Sequence, residues 1–180
     1  MPETGALPKD KRALLGLKSA SRQYWALNNL AFMATLLIQF GLGMWINLFV
    51  GVPAHHPGAG SANFFSGAFH SLVWSIGQGP IVLAIHSALG LGVAVHSIHN
   101  TFWNIKWGTR GSAWAAGLGA VFVWAAGVSG AVFLIHNKDL SSFLMALFFG
   151  AAMLSYATLV FLLMHAPETE TAAPRATATT

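Results

Sequence analysis

Eight histidines and not one cysteine define the chemistry open to this 180-residue chain. Without thiols there are no disulfides, iron–sulfur clusters, zinc–thiolate sites or covalently attached c-type haem. Imidazole is the only strong ligand type left. Three histidines fall well inside apolar sequence, His86, His96 and His99; His136 and His165 close apolar runs, His70 lies in a short aromatic stretch, and His55-His56 sit in a Pro- and Gly-punctuated loop. Adjacent histidines in such a loop could hold copper or zinc, but two ligands make a weak site. The set contains no Ser-His-Asp arrangement, paired carboxylates or phosphate loop, which argues against a hydrolase. No apolar run contains a lysine, which excludes a retinal Schiff base. The runs also lack a carboxylate or arginine inside them, which argues against most ion-coupled pumps.

The elements that must position these imidazoles follow from composition. Hydrophobic residues make up 55% of the chain and charged residues 8%, against about a quarter charged in soluble domains. A water-facing surface could not be covered by so few charges, whereas lipid tails solvate apolar side chains. Four apolar runs stand out: Ala26 to Val50, Pro80 to Trp103, Ser112 to His136 and Leu140 to His165. About 20 residues suffice to cross the hydrocarbon core, so each run is expected to span. The first is too long for a signal-peptide core. The expected fold is all-α, a four-transmembrane-helix up-down bundle over 26–165, because the connections at 104–111 and 137–139 are short. Between the first two runs, the apolar segment Asn63 to Ile76 is too short to span. It is expected to form a short interfacial helix over one end of the bundle. Residues 1–25 form a basic segment, and 166–180, rich in Thr, Ala, Pro and Glu, have nothing to bury and are expected to be disordered.

Charge sets the expected orientation. Lys9, Lys11, Arg12, Lys18, Arg22, Lys106, Arg110 and Arg175 fall on one side of such a bundle and Lys138 alone on the other. The positive-inside rule then places both termini in the cytoplasm of a cell membrane. The +4 formal charge is a topology signal of this kind, and its clustering between Lys9 and Arg22 does not make a nucleic-acid face. Gly41-Leu42-Gly43, Gly90-Leu91-Gly92 and Gly117-Leu118-Gly119 put small notches on three spans, suited to close helix packing in lipid or to making room for a flat cofactor.

Ionisable groups inside a membrane default to functional roles. His86 lies six residues past Pro80, roughly 9 Å into its span at 1.5 Å per residue, with Ser87 beside it and Gly90 one turn on. It can be a ligand, or a neutral imidazole bonded to a neighbouring helix, for instance to Gln39. His96 and His99 share a face at i, i+3 and can alternatively snorkel to the nearer interface, as can His136 and His165. Taken together, the histidines fall at two levels. His99 with His165 lies near the cytoplasmic surface. His86 lies in the opposite half, with His136 or His70 as possible mates. Two such levels are what a transmembrane electron path through b-type haem would need. The angles are less favourable: at 100° per residue His86 and His99 point about 140° apart and His86 and His96 about 80°.

The first span and loop, Gln39-Phe40-Gly41-Leu42-Gly43-Met44-Trp45-Ile46-Asn47-Leu48-Phe49-Val50 followed by Pro53 and His55-His56-Pro57-Gly58, with His86-Ser87-Ala88-Leu89-Gly90 on the next span, resemble a group of small uncharacterised four-helix membrane proteins of bacteria and archaea. The likeness covers roughly 26–165 and implies the fold. The His-x-x-x-Gly pattern at His86 and Gly90 is also similar to that of four-helix b-type cytochromes, including the superoxide-oxidase and cytochrome-b-type ferric-reductase kind. That resemblance implies haem b with His86, His99 and His165 as ligands of the haem iron and His96 and His136 in reserve. The first span has no histidine to contribute. Three functions follow as expectations. The first is haem binding and electron transfer with a redox partner protein. The second is a non-catalytic subunit or assembly protein of a larger complex. The third is a small transporter or proton relay using the histidines.

Overall fold

The computed structural model describes residues 9–165, with side chains from Arg22 onward. The tail at 166–180, expected to be disordered, lies outside the described residues. Every regular element among them is helical. α1 runs Lys9–Trp45 and continues as a π-helical turn, Ile46–Val50; α2 is Phe64–Gly77, α3 Ile81–Trp107, α4 Arg110–His136 and α5 Asp139–His165. Arg22–Val50 and all of α3, α4 and α5 are long and apolar enough to cross a bilayer. At 27 residues each, α3, α4 and α5 are roughly 40 Å long, so their ends reach past a hydrocarbon core of about 30 Å. From Lys9 onward the expected basic segment and the first span are one continuous helix. Nothing in Ala13-Leu14-Leu15-Gly16-Leu17-Lys18-Ser19-Ala20 ends a helix, and most of these residues favour one.

Side-chain chemistry fixes the boundaries. Asn63 caps α2 by accepting a hydrogen bond from the Ser66 amide at 3.0 Å, and Thr109 caps α4 through the Ser112 amide at 3.2 Å. Such caps satisfy amides left over at a helix start. Pro80, which has no N–H to leave unpaired, precedes α3. α4 stops where Asn137 turns left-handed at φ 49°, leaving only Asn137 and Lys138 before α5.

The long helices form a ring in which α1 packs on α3, α3 on α4, α4 on α5 and α5 on α1. α2 lies across the ends of α3 and α4. One end of the bundle therefore carries α2, Lys138 and Asp139; the other, the basic end, carries Arg22, Lys106 and Arg110. The ring encloses an apolar core that includes Phe32, Leu36, Val93, Tyr156 and Leu159. Asn29, Asn100, Asn104 and seven serines are buried, while Leu and Phe side chains cover the outside. Asn100 is 0% exposed and Leu154 73%. Water would reject that surface and lipid accepts it. The chain is a multi-pass helical membrane protein.

One glycine of each pair makes a helix contact. A Cβ on Gly43 would lie 3.0 Å from the His86 ring, one on Gly90 2.8 Å from the Gln39 amide, and one on Gly119 2.8 Å from the Tyr156 ring. At Gly41, Gly92 and Gly117 it would meet nothing among the described residues within 4 Å. Gly43 and Gly90 bring α1 and α3 close enough for their polar groups to meet. Towards the basic end of the same seam, Asn100 donates to Asn29 Oδ1 at 2.6 Å and Asn104 donates to Asn100 Oδ1 at 3.0 Å.

Candidate functional site

In the half of the bundle nearest α2, the four long helices do not close against one another. They leave a cavity of about 410 Å³, within the range of about 300–1,000 Å³ that small-molecule and cofactor sites occupy. Phe40 and Met44 of α1, Leu83 of α3, Gly127 of α4 and Met145 of α5 lie on its walls, and Phe69 and Leu72 of α2 close one end. The π-helical turn contributes Ile46 and Asn47. Its widened geometry carries the chain from α1 into the loop that leads back to α2, with the Gly51 amide donating to Ile46 O at 3.3 Å. Such turns are frequent at functional sites.

Polar groups on this wall are few, and His86 is the only histidine among the described residues that lines it. The ring is held from α1. His86 Nδ1 lies 3.1 Å from the carbonyl oxygen of Gln39. A carbonyl only accepts, so Nδ1 carries the proton and Nε2 keeps its lone pair. Gln39 Nε2 approaches that lone pair at 3.4 Å, but it also donates to His86 O at 2.9 Å, and the shorter contact is the better bond. Gln39 Oε1 is buried with no hydrogen-bond partner among the described residues. Ser75 of α2 donates to Ser87 at 2.9 Å, which fastens α2 beside the cavity. The helix-bonded imidazole expected at His86 is thus present, bonded to Gln39.

The other histidines stand apart. His99 is exposed, its ring 6.2 Å from that of His96 and 6.0 Å from Trp103, both on its own helix. His165 is exposed at the end of α5, donates to Phe161 O at 2.9 Å and stacks on Phe161 at 4.2 Å. Their similar depth does not bring these two together. The helices that carry them, α3 and α5, are not neighbours in the ring, and ring order comes from packing, which depth does not report. His136 is exposed at the end of α4. His70 is exposed on α2 and donates to Ser66 O at 2.8 Å. No cluster of three or more His, Cys, Asp or Glu suited to a metal ion occurs among the described residues.

His56 holds a place that its loop sequence did not reveal. Its Nε2 lies 3.0 Å from Leu134 O and its Nδ1 3.0 Å from Pro57 O, and the ring stacks on Trp74 at 4.3 Å. Both nitrogens face backbone carbonyls. With Gly60 N donating to Ile135 O at 2.8 Å, this clasp ties the loop to the end of α4. His55 is exposed.

No protein family, curated protein or solved structure matches the chain.

Proposed function

We propose that the chain is a membrane-embedded binding protein for a planar apolar cofactor, b-type haem, held on His86 in the cavity beneath α2. The observation that carries this reading is the anchored imidazole. Nδ1–H given to a backbone carbonyl orients the ring as in ligating histidines, and Nε2, engaged only by Gln39 Nε2 at 3.4 Å, is the nitrogen that would take the metal. The apolar walls would keep the cofactor dry, and the Met44 and Met145 thioethers offer soft groups on α1 and α5. With one imidazole on the wall, the residues fit a single-histidine site and do not supply a bis-histidine one. Bound haem would bring one-electron redox chemistry. The residues of the chain would bind it, orient it and exclude water. The protein would then exchange electrons with a partner protein in or at the membrane. The excess of Lys and Arg at the basic end supports a cell-membrane topology with that end in the cytoplasm and the cavity in the outer half.

Titration of the detergent-purified chain with haem tests this reading. Saturable uptake at one equivalent, with a Soret band distinct from that of free haem, is expected. Gly127→Leu should prevent uptake by filling the cavity, since a Cβ there meets nothing among the described residues within 4 Å. Uptake that does not saturate, or is indifferent to both Gly127→Leu and His86→Ala, would return the chain to the non-catalytic subunit reading.

A further inference from the structure

The His86 cavity is closed on most of its sides. α2 and the loop before it cover one end, fastened by the Ser75–Ser87 bond and the His56 clasp. The core residues Leu36, Val93 and Val123 fill the bundle at the other. Gln39 against His86 closes the α1–α3 seam, and the Phe40 and Phe149 rings, stacked at 4.5 Å, close the α1–α5 seam. Met145 closes the α4–α5 seam, with its Sδ 3.4 Å from where a Cβ on Gly130 would lie. The place where α2, α3 and α4 meet is different. A Cβ on Gly127 of α4 would touch nothing among the described residues within 4 Å. Phe69 of α2, Leu91 of α3, and Trp124 and Val128 of α4 line the cavity, yet each is between 47% and 64% exposed. Side chains that belong both to a cavity wall and to the outer surface stand at an opening. Met44 of α1, one turn beyond Phe40, is a wall residue of lower exposure and marks the alternative mouth.

Depth decides which phase this opening meets. Leu91 lies ten residues into α3 from Ile81, and Val128 and Trp124 lie eight and twelve residues before His136 at the end of α4. At 1.5 Å per residue the three stand roughly 12–18 Å from the helix ends beside α2. Helices roughly 40 Å long project about 5 Å at each end from a hydrocarbon core of about 30 Å. The rim therefore lies inside the hydrocarbon, and its side chains are aliphatic or aromatic. Ionic solutes do not reach such a depth, and lipid headgroups stay at the interface above it. A molecule that arrives at this rim is one already dissolved among acyl chains.

We propose that this opening is a lateral portal between α3 and α4, beneath α2, and that the cavity is filled through it from the hydrocarbon layer by an apolar molecule dissolved in the membrane. The inference rests on the reading of the cavity as a binding site and adds the route of loading; it holds whether or not that molecule is haem. Haem, on the reading above, would be taken up from lipid.

Photolabelling with an iodophenyl diazirine, a small apolar ring that partitions into lipid, tests the proposal on the full chain in nanodiscs. Met145 lines the cavity and shares a helix face with Ala152 and Tyr156 of the core. Label is expected there as well as on the lipid-facing Leu154. Val128→Trp and Leu91→Trp add bulk on the two sides of the rim, at exposed positions where folding tolerates it. Each should remove the Met145 label and leave that on Leu154. A wild-type chain without label on Met145 would overturn the proposal, as would Met145 label unchanged in both rim variants. So would its loss in Met44→Trp alone, which would put the mouth between α1 and α5. Transfer of haem from preloaded vesicles separates this inference from the haem reading. If haem binds, the rim variants should slow its uptake without changing the final amount, whereas Gly127→Leu lowers the amount. Haem that never binds, with Met145 label still lost in the rim variants, would sink the haem reading and leave the portal standing.

Discussion

At the scale of residues, the bundle is held across the α1–α3 seam by polar contacts that only an apolar surrounding makes worthwhile. Asn100 joins Asn29 at 2.6 Å and receives Asn104 at 3.0 Å, and removing it leaves the Asn29 acceptor buried without its donor. Asn100→Ala is expected to lower stability by about 1–2 kcal/mol, at the upper end of interhelical hydrogen bonds in membranes. Equilibrium unfolding in mixed micelles measures it, and an unchanged midpoint would mean the network contributes nothing. Asn29 and Asn100 interrupt apolar runs in the sequence, but position along a run does not show which neighbouring helix a side chain meets. The Gln39–His86 pairing was legible. A polar group inside a span needs a partner on a neighbouring helix, and Gln39 on the preceding span is one. The single-histidine character of the cavity was not legible. It depends on which helices adjoin, and depth along each span says nothing about that.

At the scale of elements, helix existence was written plainly in the runs of apolar residues, and α2 was legible to within a residue at each end, because Asn63 caps it and Gly77 ends it. The extension of α1 to Lys9 and the π-helical turn were hidden. Both depend on the backbone continuing a local geometry, to which hydropathy is blind. The paired glycines separate by face in a way that sequence spacing alone does not assign. Gly119→Leu is expected to cost about 1–3 kcal/mol by driving a side chain into Tyr156, whereas Gly117→Ala is expected to leave stability unchanged or slightly raised. Thermal unfolding of the two variants side by side gives the comparison, and equal losses would contradict the assigned faces. The His56 clasp belongs to this scale too. His56→Ala should free the loop from α4, and hydrogen exchange at Gly60, whose amide is bonded to Ile135 O, should speed up while the amides of α4 and α5 remain unchanged. Exchange that stays slow would show that the backbone bond suffices without the imidazole.

At the scale of the whole molecule, an apolar outer surface and a one-sided distribution of charge define the protein. Leu, Ile and Phe side chains on the outside make a surface suited to lipid. Eight basic residues against one predict that both termini and Lys106 face the cytoplasm. A cysteine introduced at residue 60 should react with an impermeant thiol reagent added outside intact cells, and labelling from the cytoplasmic side alone would reverse the topology. The cavity was not legible in the sequence, since a void is a property of how four surfaces fail to meet. The central claim, that the void takes haem on His86, is tested most directly by the reduced-minus-oxidised visible spectrum of the haem-loaded chain and of His86→Ala. The wild-type chain should show a sharp b-type difference spectrum. The variant should lose it while keeping its helical content and losing about 1 kcal/mol of stability with the Gln39 bond. An identical difference spectrum in the two proteins would contradict the assignment of His86.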